Sequence, residues 1–143
     1  MSTGSDLTWV EGIRTLLRQG AYSEAVARTE QALAEPGNET NGRLTQLHGL
    51  TLYVNGDHEA ALAEFESALL LSPLTSESFL ALADLYIKKD QHEDARVSLN
   101  ILVEDVDTVP PELFPRIAGL LGRVGETRKA LFKIGRASCR ERV

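Results

Sequence analysis

The sequence predicts an all-α fold, an α-solenoid of antiparallel helix pairs with three full repeats and a truncated fourth, and three observations predict it. Aligned with itself at a shift of 34, the chain superposes Gly49 on Ala83, Leu52 on Tyr86, His58 on His92, Ala61 on Ala95, Phe65 on Leu99 and Leu69 on Val103. Small matches small and large apolar matches large apolar, the mark of a repeat array. Within a copy, apolar residues return at i, i+3, i+4, i+7 and i+8, as in Phe79, Leu82, Ala83, Tyr86 and Ile87. That is one face of a helix and not the alternation of a strand. Turn formers separate these faces at regular intervals.

After a flexible start at 1–5, the first copy occupies 6–39, with Trp9, Leu16, Gly20, Tyr22, Ala25, Ala32 and Leu33 in register. A spacer of about two residues leads to the second copy, 42–75. Its second helical face is Ala61, Leu62, Phe65, Ala68 and Leu69, and Gly49 opposite Ala61 is expected to let the two helices approach closely. Between them "NGD" offers Gly56 for a left-handed helix end and Asp57 to cap the next helix. Pro73 stops that helix, and Ser76 is expected to cap the first helix of the third copy, 76–109. A partial fourth copy, 111–132, has Phe114, Ile117, Ala118, Leu121, Gly125 and Ala130 in place. Its second helix is expected from about Glu126, without room to finish.

The best copy reads "HGLTLYVNGDHEAALAEFESALLLSP", with Gly49, Gly56, Ala61, Phe65, Ala68, Leu69 and Pro73 at the diagnostic positions. In this it resembles the tetratricopeptide repeat family. The third copy keeps Leu82, Ala83, Tyr86 and Ala95, with Leu99 for the aromatic, Leu102 for the second small residue and Asp107 for the proline. The resemblance covers about 6–132. It implies stacked hairpins in a right-handed superhelix whose concave groove, lined by the first helix of each pair, binds a protein or peptide.

Carried over copy by copy, the groove positions are Arg14 and Arg18; Arg43, Gln46, Leu47, Leu50 and Tyr53; Glu77, Leu80, Asp84 and Lys88; and Arg116. Tyr53 and the arginines suit the role of anchors for an extended peptide or partner helix. For Leu47, Leu50 and Leu80, packing between neighbouring hairpins is the alternative. Family members that grip a chaperone's terminal carboxylate do so from positions that fall here on Val10, Arg14, Leu47, Glu77 and Ala81. Four of these five cannot donate to a carboxylate, so a chaperone-tail clamp is not expected.

No constellation for catalysis appears, and no cofactor or metal is expected. His58 and His92 occupy equivalent turn positions in separate copies, and His48 lies within or beside the helical packing. The glycines at 49, 56, 119, 122 and 125 are spread over helices and turns, with no strand before them to form a phosphate loop. Glu64, Glu66, Glu104 and Asp105 are expected on the outward sides of second helices as solubilising charge. The class that remains is a non-enzymatic protein-interaction scaffold. An alternative is the N-terminal repeat region of a larger enzyme, such as a transferase; self-association of the array is a further option.

Composition agrees: 43% apolar and 25% charged residues are ordinary for a folded chain and far from the signature of disorder. The net charge of −6 argues against nucleic acid, which requires concentrated Lys and Arg. No apolar run is long enough for a membrane span. The start, "MSTGSDLTWVEG", lacks the pattern of a secretory signal, so cytoplasmic residence is the expectation.

The segment 133–143 stands apart. It holds the single cysteine, Cys139, among Arg136, Arg140 and Arg142, and from Ile134 it resembles a translated sequencing adapter. It is therefore read as non-native and set aside. Without it the chain has 11 Lys plus Arg against 20 Asp plus Glu, and no cysteine.

Overall fold

The computed structural model describes residues 3–125 and 132–137, with side chains described from residue 9. These residues contain helices and no strand, and adjacent helices pack in pairs. The fold is all-α, of tetratricopeptide type. The chain forms two compact units, Met1–Leu74 and Thr75–Val143.

The first unit holds α1 (Thr3–Arg18), α2 (Tyr22–Leu33), α3 (Gly42–Asn55) and α4 (His58–Leu71). Each helix packs on the next, and α1 also touches α3. The second unit holds α5 (Ser76–Lys88), α6 (His92–Glu104), two short 3₁₀ turns at Val106–Thr108 and Pro111–Leu113, α7 (Phe114–Arg123) and a helical segment at 132–137. Here α5 and α6 pair, and α7 packs on both.

The repeat is written into the backbone at the helix ends. Gly20, Gly56 and Gly125 have φ of 77°, 92° and 68°, and at the corresponding point after α5 stands Asp90, with φ 62°. After α3, the Asp57 N–H donates to Leu52 O at 2.9 Å and the Gly56 N–H to Tyr53 O at 3.2 Å. After α5, the Gln91 N–H donates to Tyr86 O at 2.8 Å and the Asp90 N–H to Ile87 O at 3.0 Å. This paired closure satisfies the last carbonyls of a helix and needs a left-handed residue, which glycine adopts without strain. The glycine of "NGD" does what the sequence predicts. Its aspartate does not: Asp57 precedes α4 without capping it, because its carboxylate accepts the Asn55 amide at 2.9 Å. Nor does Ser76 cap α5. Thr75 does, its hydroxyl accepting the Ser78 N–H at 3.2 Å, which makes Ser76 the first helical residue.

The cores repeat as well. The second helices bury Ala25, Thr29 and Ala32; Ala61, Phe65 and Ala68; and Ala95, Leu99 and Leu102, each at 3% exposure or less. This i, i+4, i+7 stripe is the buried face of each second helix. Burial of Phe65 alone is worth about 1.5–3 kcal/mol. Its ring, not Ala61, is what Gly49 accommodates: a Cβ there would lie 2.9 Å from Phe65 Cε1. In α2 the equivalent site holds Thr29, whose hydroxyl lies 3.3 Å from that of Thr51 and donates within its own helix to Val26 O at 2.8 Å.

The sequence reading places a register break at the tail, and part of that segment is helical. Over 132–137, Ile134 and Ala137 are buried at 3% and 5% exposure. Ala130, the start of the expected eighth helix near Glu126, and Cys139, Arg140 and Arg142 lie outside the described residues.

Candidate functional site

In the first unit, α1 and α3 are the first helices of successive pairs and touch one another. Gly20 and Gly56 end them in the same way, so positions counted back from these glycines are level with one another. Arg18 is then level with Val54, and Arg14 with Leu50. Arg14, Arg18 and Arg43 are exposed. Among the described residues neither Arg14 nor Arg43 has a hydrogen-bond or ion-pair partner, and Arg18 only reaches Thr15 Oγ1, at 3.4 Å. Leu50 is half-buried and Val54 is 42% exposed. The face therefore offers unpaired guanidinium groups on one helix beside accessible aliphatic groups on the next.

Other predicted groove residues are spoken for. Leu47 belongs to the core with Ile13 and Ala25, and its side chain is a packing element. Gln46 is buried, its amide donating to Pro73 O at 2.9 Å and Ser72 Oγ at 3.3 Å, which ties the start of α3 to the end of α4. Tyr53 is half-buried with its ring 5.9 Å from that of His58.

In the second unit Leu80 is fully buried, so packing holds for it too. Glu77 and Arg116 are exposed. Asp84 is nearly covered and lies 2.9 Å from Lys88 Nζ and 3.9 Å from Arg123 Nη1. This carboxylate pairs with Lys88 within α5 and links α5 to α7 through Arg123.

His48 connects α3 to the second helices on either side. Its Nδ1–H donates to Glu64 at 2.6 Å, and Nε2 lies 3.7 Å from Glu30. Glu64 is therefore an inter-helix partner and not the outward charge expected of it. Among the described residues no cluster of His, Cys, Asp and Glu is arranged to hold a metal ion, and no helix is long and apolar enough to cross a membrane.

Charge is segregated by helix type. The first helices α1, α3, α5 and α7 carry six Lys and Arg against four carboxylates, whereas α2, α4 and α6 carry two against eight. In a chain of net charge −6, the first helices are thus net positive in each unit, with three cations against two carboxylates on α1 and α3 and the same on α5 and α7.

A family model described as tetratricopeptide repeat matches residues 52–123, just over half of the chain and parts of both units. The chain belongs to the tetratricopeptide repeat family. No curated protein matches it. Tetratricopeptide repeats generally mediate protein–protein interaction and bind proteins or peptides, and the first-helix faces of this repeat protein have the mixed character that such contacts use.

Sequence reasoning missed Val54, although it lies one turn beyond Leu50 and continues the Arg43–Leu50 line on α3. It also missed Asn38, whose buried amide donates to Ala32 O at 2.8 Å and closes the end of α2. For Val54 the helical period carried the signal; for Asn38 nothing local did, because the contact depends on how the loop folds back.

Proposed function

We propose that this repeat protein is a non-catalytic interaction module that holds a peptide or partner helix on the face shared by α1 and α3. The observation that carries the reading is the juxtaposition of exposed Arg14 and Arg18 with accessible Leu50 and Val54 on touching first helices. Aliphatic groups supply burial and arginines supply oriented hydrogen bonds, the combination found at binding hot spots. Leu47, packed with Ile13 and Ala25, supports the surface from below.

Immobilised full-length chain tests this by affinity capture. Leu50→Ser/Val54→Ser is expected to reduce recovery of the partner strongly, while Val97→Ser, an exposed substitution on α6, leaves it unchanged. Equal recovery with all three proteins rejects the α1–α3 face as the binding surface.

A further inference from the structure

We infer that the α1–α3 face selects an acidic amphipathic peptide segment of another protein, with carboxylates directed at α1 and apolar side chains at α3. This rests on the interaction reading above and narrows it to one chemical class of partner. Three observations point the same way.

The first is the segregation of charge. A chain of net charge −6 that scattered its ionic groups at random would not leave its first helices net positive and its second helices strongly negative. Surface potentials of this kind set which partners approach and in which orientation, and they reject partners of like charge. A basic segment would meet the arginines of this face; an acidic one would be turned away from α2, α4 and α6.

The second is the contrast between the two units. In the second unit Asp84 offers Lys88 and Arg123 a carboxylate from within the protein, at 2.9 and 3.9 Å. In the first unit Arg14 and Arg43 have no such partner among the described residues, and Arg18 has only a hydroxyl. Glu11, one turn before Arg14, is exposed and its carboxylate makes no described contact with either arginine.

The third is spacing. Arg14 and Arg18 are one helical turn apart, about 6 Å, and planar guanidinium groups favour bidentate carboxylates. Acidic residues four apart on a helix, or two apart on an extended segment, match that interval. Level with these arginines stand Leu50 and Val54, so a segment with acidic residues on one edge and leucine-sized residues on the next satisfies both helices at once. Arg43, farther along α3, engages the segment's remaining acidic end.

Fluorescence anisotropy with three short labelled peptides tests the inference on the full-length chain. All share the same leucine positions, and the intervening residues are Glu, Gln or Lys. The Glu peptide is expected to bind best, with affinity falling as ionic strength rises. Arg14→Glu/Arg18→Glu should weaken it by about tenfold and improve the Lys peptide, with circular dichroism unchanged because both positions are exposed. Leu50→Ser/Val54→Ser should weaken the Glu and Gln peptides alike. Equal binding of Glu and Gln peptides, untouched by the arginine reversal but lost with the Leu50/Val54 variant, overturns the acidic class and leaves the face as an interaction surface. Preference for the Lys peptide, or no binding of the Glu peptide, also overturns it. Binding that responds to neither double variant removes both the class and the face.

Discussion

Two single residues in turns have energetic roles that can be measured. Asn38 is 4% exposed, and its amide holds Ala32 O at the end of α2. Removing that donor leaves Ala32 O with backbone donors alone, among them the Glu35 N–H at 3.2 Å, a loss of about 0.5–1.5 kcal/mol. Asn38→Ala should therefore lower the denaturant midpoint by that loss divided by the slope, with the slope itself unaltered, and an unchanged midpoint would mean that the backbone donors serve the carbonyl equally well. Asp90 works in the opposite direction. It takes φ 62° where the other three closures use glycine, and a residue with a Cβ costs about 1 kcal/mol there relative to glycine. Asp90→Gly should stabilise the second unit by about 0.5 kcal/mol at most after the greater freedom of glycine in the unfolded chain is subtracted. Thermal unfolding checks this; a fall in melting temperature would show that the Asp90 carboxylate, 3.7 Å from His92 Nε2, matters more than the backbone.

At the scale of the helix pair, α3 and α4 meet through complementary sizes. Gly49 makes room for Phe65, whose ring is fully buried. Gly49→Ala gains about 1 kcal/mol of helix propensity but forces a methyl to 2.9 Å from that ring. Overpacking of this kind costs about 1–3 kcal/mol, so a net loss near 1 kcal/mol is expected. Adding Phe65→Leu, the residue at the same register in α6, should make the Gly49→Ala step harmless; a double-mutant cycle with no coupling would refute the contact. Ala61→Leu, at a fully buried position one turn before Phe65, should cost about 1–3 kcal/mol by the same mechanism. The repeat shift, the 3.6-residue faces and the glycine closures were all legible because each is a local pattern repeated several times. The caps were not: Asp57 had a competing donor in Asn55, and Thr75 stands beside Ser76 with the same chemistry. The candidate site was half legible for a similar reason. Periodicity finds the stripe Arg43, Leu47, Leu50 and Val54 on α3, but whether a leucine on it meets Ile13 or solvent is decided by the neighbouring helix.

For the molecule as a whole, stability in a repeat fold is a sum of the helix pairs and the contacts between neighbours. In the first unit α3 packs on α1, α2 and α4, whereas α1 packs on α2 and α3 alone. The α2 helix also replaces the large apolar residue of α4 and α6 with Thr29, which buries less hydrocarbon and whose hydroxyl meets Thr51 of α3, not α1. Both differences weaken the α1–α2 pair relative to α3–α4. Local opening follows such differences and is read by amide exchange. Backbone amides of α1 and α2 are therefore expected to exchange through opening at lower free energy than those of α3 and α4, with α1 least protected. A bound acidic peptide, lying on α1 and α3, should slow α1 most, since a ligand that binds only the closed form adds its binding free energy to the opening cost. Equal protection of all four helices before ligand would contradict the weaker pairing of α1–α2. Protection gained on α4 but not α1 would place the ligand on the opposite face of the unit.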